Sequence, residues 1–280
     1  YRYSFFAALL AKCFGKKTYF TGGIDSLDSD YASAFNYKIQ ALFFKLCYWV
    51  ADSCIIVSQS DLKNIFKVSS LKKKLSYSEH VINTKLFIAD VPKEKIFTSI
   101  VWMGDEGNVV RKGVDKALQI FAELKKIPEF VDYRFVIIGR KGEGEVLVRS
   151  IIDKYNLKGS VELKGEVSEE DKINLLKQSK YYFQLSLYEG FGLAALEALC
   201  ANNIIIHSGK GGLANPIYKE QLLFDIDNDF DSELLKLVNK LACFTPITSY
   251  DNLLEYYDIQ RRKDDFEAII VNGKSNYKLK

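Results

Sequence analysis

Tyr188-Glu189-Gly190-Phe191-Gly192-Leu193-Ala194-Ala195-Leu196-Glu197 sets two carboxylates either side of seven residues, with a glycine-flanked phenylalanine after the first. The apolar run from Tyr181 to Leu187 ahead of it predicts a buried strand, and the run from Leu193 to Cys200 predicts a helix. The glycines therefore fall at a strand-to-helix turn. Bare backbone N–H groups and the positive end of a helix dipole meet there, and both favour an anion. Glu189 falls in the loop and Glu197 within the first turns of the helix. Ionised carboxylates accept O–H donors, so two acids beside an anion site point to sugar hydroxyls as well as phosphate. Two solvated glutamates on an ordinary α/β turn would show the same spacing. The glycines and the strand before them argue for the site.

Outward from this turn, strands and helices alternate. Toward the N-terminus the pattern predicts strands over 99–103, 133–138, 161–163 and 181–185, with helices over 114–126, 146–155 and 169–179 between them. Toward the C-terminus it predicts a strand over 204–207, a glycine-rich loop over 209–212, and helices over about 233–241 and 252–259. Five strands separated by helices make a nearly complete Rossmann-like parallel sheet. Before it come a helix over 4–14, a strand over 18–21, a Gly22-Gly23-Ile24-Asp25 turn, and a long amphipathic helix over about 32–51. A strand over 54–57, a helix over 61–68 and a short strand leading to His80 follow. Asp90-Val91-Pro92-Lys93 is the best linker candidate. The expected fold class is α/β in three sections. These are a partial N-terminal Rossmann-like domain (1–90), a C-terminal Rossmann-like domain (91–258), and a tail or helix (259–280).

The 280 residues suffice for two modest α/β domains, and the 48% hydrophobic content is that of a globular chain. A net charge of only +3 argues against a dedicated nucleic-acid binder. Residues 1–88 nevertheless hold 12 Lys and Arg against 6 Asp and Glu. This basic part is a candidate face for an anionic membrane or an anionic acceptor, and a solvated surface accounts for the same surplus. The five scattered cysteines show no metal spacing and read as reduced core thiols of a cytoplasmic protein. Only two histidines are present, and no apolar run is long enough to span a bilayer. The chain begins without Met, which suggests a fragment or a trimmed sequence.

The stretch from Glu189 to Glu197 resembles the E-x7-E motif of retaining GT-B glycosyltransferases, the glycogen-synthase-like group known as group 1 or glycosyltransferase family 4. Ala51-Asp52-Ser53-Cys54-Ile55-Ile56-Val57-Ser58 is similar to the run that closes the N-terminal lobe in that family. Val81-Ile82-Asn83-Thr84-Lys85-Leu86-Phe87 is a looser match to the segment leading to the hinge, with Thr84 for the usual glycine. The resemblance implies two Rossmann-like lobes facing across a cleft, with the last helices crossing back onto the first lobe. It also implies that the first strands of that lobe would precede residue 1.

The resemblance further assigns residues. Arg111-Lys112-Gly113 stands where the family has a lysine-glycine pair, and two cations there suit the developing charge of a diphosphate leaving group. Both fall at the predicted start of helix 114–126, where the helix dipole opposes a cation. Gly190, Phe191, Gly192 and Leu193 would offer backbone N–H groups to the donor, Glu189 would bind the donor sugar, and Glu197 the ribose. The catalytic set implied is Glu189, Lys112 and Arg111. Gly165 and Val167 would flank the nucleotide base, with Gly139 and Arg140 weaker candidates. Lys172 lies in the helix just beyond, within reach of a base contact, and reads more simply as an exposed helix lysine. Asp25 is the acceptor-side candidate, and it would serve equally as a turn cap. His207 reads as a hydrogen-bonded strand-end residue and His80 as a loop residue. Departures from the family include Ala201-Asn202-Asn203 for A-x-G-x-P and the absence of a glutamate after Gly211-Gly212.

The activity implied is transfer of a hexose, with retention, from a UDP- or GDP-sugar to a glycan, a lipid-linked acceptor or a small molecule. Neither metal nor cofactor is expected, and the implied location is the cytoplasm, peripherally at the inner membrane face. Two other readings stay open. One is a nucleotide-sugar-binding fragment or partner subunit without turnover. The other is a GT-B UDP-sugar epimerase, whose acid-base chemistry suits this histidine-poor chain badly.

Overall fold

The computed structural model describes residues 2–21, 34–58, 74–88, 91–244 and 250–272. The chain divides into two compact units, residues 1–81 with 257–280, and residues 82–256. Asp25, the Gly22-Gly23 turn, the helix expected over 61–68 and the linker residue Asp90 lie outside the described residues.

The first unit carries a three-stranded parallel sheet in the order β1 (Tyr19–Thr21), β2 (Ser53–Ile56), β3 (Leu75–Tyr77). Helix α1 (Arg2–Cys13) packs on α2 (Ala34–Val50), whose buried Ala41, Phe44 and Tyr48 close over Cys54 and Ile56. The last helix of the chain, Ile259–Asn272, belongs to this unit. Tyr257 just before it donates to Glu79 at 3.2 Å, and Arg262 within it meets His80 Nδ1 at 2.7 Å. Burial and the Arg262 guanidinium hold His80 down at about 4, so the neutral ring accepts that bond. His80 is therefore a fastening between the β3 end and this helix, not a plain loop residue. Cys47, Cys54 and Cys200 are buried thiols as expected, whereas Cys13 and Cys243 are exposed.

The second unit is a six-stranded sheet built from β4 (Glu94–Ile100), β5 (Arg134–Ile138), β6 (Val161–Gly165), β7 (Ser179–Gln184), β8 (Ile204–His207) and β9 (Leu222–Leu223). All the pairs are parallel and the order is β6-β5-β4-β7-β8-β9. Counted within the unit, that is the doubly wound order 3-2-1-4-5-6, which reverses direction between β4 and β7. Ligands of such sheets bind outside the C-terminal ends of the strands at that reversal.

Helices α3 (Glu106–Arg111), α4 (Val114–Leu124), α5 (Glu145–Lys154), α6 (Glu169–Gln178), α7 (Leu193–Cys200), α8 (Phe230–Cys243) and α9 (Tyr250–Tyr256) complete this unit. Helix α4 buries Val114, Ala117, Leu118, Phe121 and Leu124, a three-and-four spacing that turns one face to the sheet. Lys93 donates to the carbonyls of Ala201 (2.5 Å) and Leu176 (3.3 Å), so one ammonium satisfies carbonyls near the ends of both α6 and α7.

Two expectations need correction. Strand β4 runs Glu94–Ile100, not 99–103. Val101 and Met103 are buried and still donate to Ile138 and Arg140 carbonyls, yet they have left the regular ladder. The loop expected after it contains α3, capped by Asp105, whose side chain accepts from Asn108 N.

The core of this unit centres on Phe97, whose ring stacks on Tyr181 and Phe183 at centroid distances of 4.6 and 5.1 Å. Replacing it leaves a cavity between the two central strands. Phe97→Ala is expected to cost about 3–5 kcal/mol in urea unfolding. A loss under about 1 kcal/mol would contradict this packing.

Candidate nucleotide-sugar site

Strand β7 and the two residues that continue it divide their labour between two faces. Tyr181, Phe183 and Leu185 enter the apolar core, while Tyr182, Gln184 and Ser186 form a buried polar strip on the opposite face. The strip ends at Glu189 in the loop that follows. Lys112 donates to Glu189 Oε2 at 2.7 Å, with 22% and 15% of the two side chains exposed. The structure thus brings together two residues 77 positions apart, one from the β4 loop and one from the β7 loop.

Lys112 directly precedes Gly113, the N-cap of α4, and an unexpected short helix ends on it. It is the C-cap of α3, and Arg111 lies in that helix's last turn. The C-terminal end of α3 favours a cation there, which offsets the opposing start of α4. Arg111 bonds Asn108 Oδ1 at 2.6 Å, and its carbonyl accepts from Leu187 N at 2.8 Å. Gly113 then takes a left-handed conformation (φ +68°) as N-cap of α4, and a Cβ on it would overlap the Leu185 carbonyl. These contacts clamp the β4 loop to the β7 loop.

Gly192, the N-cap of α7 with φ +86°, turns the chain into the helix at Leu193, and Phe191 is buried. The orphan amides of this first turn point out of the helix start. Gly211 (φ +57°) lies against the carbonyl of Glu189, where a side chain would clash. The loops after β4, β7 and β8 are thereby held against one another at the end of the sheet.

Glu197, one turn into α7, pairs with Lys172 of α6 at 2.9 Å, and Lys172 also reaches Glu169 at 2.7 Å. Lys172 is therefore not the exposed helix lysine expected, since only 16% of its side chain meets solvent. Burial pulls its ammonium down, but the two carboxylates outweigh that and raise it. Burial raises Glu197, and its single cationic partner offsets only part of the rise. Both shifts hold together because Lys172 has two acids and Glu197 one base. Burial also raises the Tyr182 hydroxyl, with the charges of Glu197 and Glu189 adding to the rise.

Gly165 ends β6 with φ +77°, and its carbonyl accepts from Gly139 N at 2.8 Å. Val167 packs on Ile96, Val136, Ile138 and Leu175. His207 Nε2 meets the Tyr218 carbonyl at 3.1 Å, and burial holds the ring down at about 4. Asn202 (φ +62°) supplies the left-handed residue just past the end of α7. Among the described residues no cluster of His, Cys, Asp or Glu could hold a metal.

Sequence reasoning missed Gln184 and Ser186 and misread Lys172. Polar residues at alternate positions inside the run 181–187 were the available signal for the first two.

Residues 107–242 match the family model for "Glycosyl transferases group 1". This segment is a group 1 glycosyltransferase domain. A GDP-mannose:cellobiosyl-diphosphopolyprenol alpha-mannosyltransferase of Xanthomonas oryzae pv. oryzae is 32% identical over 163 residues, 51% of this chain and 40% of that protein. A phosphatidylinositol N-acetylglucosaminyltransferase subunit of Homo sapiens is 30% identical over 105 residues, 38% of this chain and 21% of the human one. The chain thus spans less than half the length of either relative. A sucrose-phosphate synthase structure from Thermosynechococcus elongatus superposes with a TM-score of 0.77 at 20% identity, over 96% of this chain and 71% of its own. Anabaena Alr3699/HepE in complex with UDP-glucose gives 0.74 at 13% identity, over 95% of this chain and 75% of its own. At these identities the likeness speaks for the fold, that of GT-B glycosyltransferases.

Removing Lys172 leaves Glu197 with burial unopposed. Its carboxyl already titrates above its unfolded value, so ionised Glu197 costs stability once pH rises above that value. Lys172→Met is expected to lose about 1–3 kcal/mol at pH 7 and less near pH 4, where the carboxyl takes up its proton. Equal losses at both pH values in denaturant titrations would contradict the pairing.

Proposed function

We propose that the chain carries the donor half of a retaining hexosyltransferase using a UDP- or GDP-sugar. One observation carries this reading. A lysine–glutamate pair and a helix N-terminus converge at the strand reversal of a doubly wound sheet. The α7 amides and Lys112 would receive the diphosphate, with Arg111 adding positive charge nearby. Glu189 would bind the sugar, Glu197 the ribose hydroxyls, and the backbone at Gly165 and Val167 the base. The name of the Xanthomonas enzyme, with GDP-mannose as donor, supports a nucleotide-sugar donor, and the Anabaena structure is a complex with UDP-glucose.

In this reading the acceptor hydroxyl approaches the face from which the diphosphate leaves. The bond from the anomeric carbon to the phosphate oxygen breaks as the bond to the acceptor oxygen forms. The acceptor's proton passes to a leaving phosphate oxygen. Lys112 and the helix amides stabilise the charge that develops, and neither metal nor cofactor is needed.

The relatives' names give a diphosphopolyprenol-linked cellobiosyl group and phosphatidylinositol, which supports a lipid or lipid-linked acceptor here. Peripheral contact with an anionic membrane is part of the proposal. Helix α1 exposes Tyr3, Phe6 and Leu10, with Lys16 and Lys17 just beyond it. Among the described residues no helix is long and apolar enough to cross a membrane.

Calorimetry against UDP-, GDP- and ADP-sugars tests the donor. One of the UDP- or GDP-sugars is expected to bind, and Lys112→Ala and Glu197→Ala each to weaken that binding by about 1–3 kcal/mol, the loss of one charge-assisted hydrogen bond. Unchanged affinity in both variants would remove the site assignment.

A further inference from the structure

Three donors converge on a single oxygen of Glu189. Lys112 Nζ, Gln184 Nε2 and Ser186 Oγ reach Oε2 at 2.7, 3.1 and 3.2 Å. Among the described residues none of these hydrogen bonds to Glu189 goes to Oε1. A carboxylate has about four lone-pair sites, so this concentration fixes the plane of the group and leaves one oxygen for something else.

The orientation of the Gln184 amide follows from its surroundings. Ile100 N donates to the Tyr182 hydroxyl at 3.3 Å, and that hydroxyl donates onward to Gln184 Oε1 at 3.2 Å. The amide nitrogen then faces Ser186 Oγ at 2.9 Å and Glu189. A flipped amide would set its carbonyl against the carboxylate and its N–H groups against a hydroxyl that already accepts from Ile100 N. Direction therefore runs one way, from the backbone of β4 through Tyr182 and Gln184 to Glu189. Gln184 and Ser186 are buried. An apolar side chain of similar size would fill the space of Gln184 without these bonds. What the glutamine adds is an anchor for the carboxylate.

We propose that Gln184 and Ser186 are positioning residues that hold Glu189 Oε2 against Lys112 and present Oε1 to a hydroxyl of the donor sugar. The assignment rests on the nucleotide-sugar reading of the site and deepens it. Lys112 keeps two further N–H donors for phosphate after its bond to Glu189. One ammonium thus ties the sugar-facing acid to the diphosphate. The nucleotide itself is held by other groups, so disturbing Gln184 or Ser186 should be felt by the sugar and not by the nucleotide.

The test compares the affinities of UDP, GDP, UDP-glucose and GDP-mannose for the full chain and for Gln184→Met and Ser186→Ala, by calorimetry. The quantity read is the ratio of nucleotide-sugar to free-nucleotide affinity. In each variant free-nucleotide affinity is expected to stay within about twofold, while nucleotide-sugar affinity falls about fivefold to tenfold, the worth of one ordinary hydrogen bond. An unchanged ratio, or equal losses for nucleotide and nucleotide sugar, would overturn the positioning role. Ser186→Ala removes one hydroxyl only and keeps the test decisive should Gln184→Met fail to fold. Failure of the unmodified chain to bind any of the four probes would overturn the nucleotide-sugar reading itself.

Discussion

The ion pair between Lys112 and Glu189 joins the loop after β4 to the loop after β7, the two strands between which the sheet reverses its winding. A pair as shielded as this gains little net stability, because dehydrating both charges costs several kcal/mol before they attract. Its neighbours keep that cost down. Gln184 and Ser186 add hydrogen bonds to the carboxylate, and the C-terminal end of α3 favours the ammonium. Around the pair the backbone is drawn close. Gly113 touches the Leu185 carbonyl, Leu187 N bonds the Arg111 carbonyl, and Gly211 lies against Glu189. Side chains would not fit at the two glycine contacts, so the glycines set the spacing on which the pair depends.

Strand β7 links that site to the fold. Its apolar face, Tyr181, Phe183 and Leu185, is locked by stacking on Phe97 of β4 and sets the strand's register. The period of two then fixes the polar face in the same stroke, so Tyr182 meets Gln184, and Gln184 and Ser186 meet Glu189, without freedom to slip. Core packing and site geometry are two sides of one strand. Helix α7 is tied in from the other direction, by Lys93 at its C-terminal end and by Lys172 on Glu197.

Much of this was legible in the sequence where one local signal governed the outcome. The strand over 204–207 and the helix over 193–200 emerged with the expected bounds, because glycines and asparagines punctuate them. Strand β4 was misplaced because its opening Glu94-Lys95 looks like loop, and the parallel pairing with β5 and β7 that recruits it is tertiary. Helix α3 hid behind Gly107, a poor helix former, and shows itself only through the Asp105 cap. The E-x7-E spacing pointed to both acids but not to their partners. Lys172 is 25 positions from Glu197 and Lys112 is 77 from Glu189, and such pairings depend on how helices and loops pack, not on any local pattern. The polar strip of β7 was written in the sequence but hidden by the apolar residues between its members.

The central claim is that this ion pair marks where a nucleotide sugar binds. The most direct measurement is a crystal structure of the chain with UDP-glucose or GDP-mannose. The account predicts the diphosphate at the start of α7 within hydrogen-bonding distance of Lys112, the sugar on Glu189 and the ribose on Glu197. A well-ordered ligand anywhere else, with Lys112 and Glu189 still paired and untouched, would contradict it.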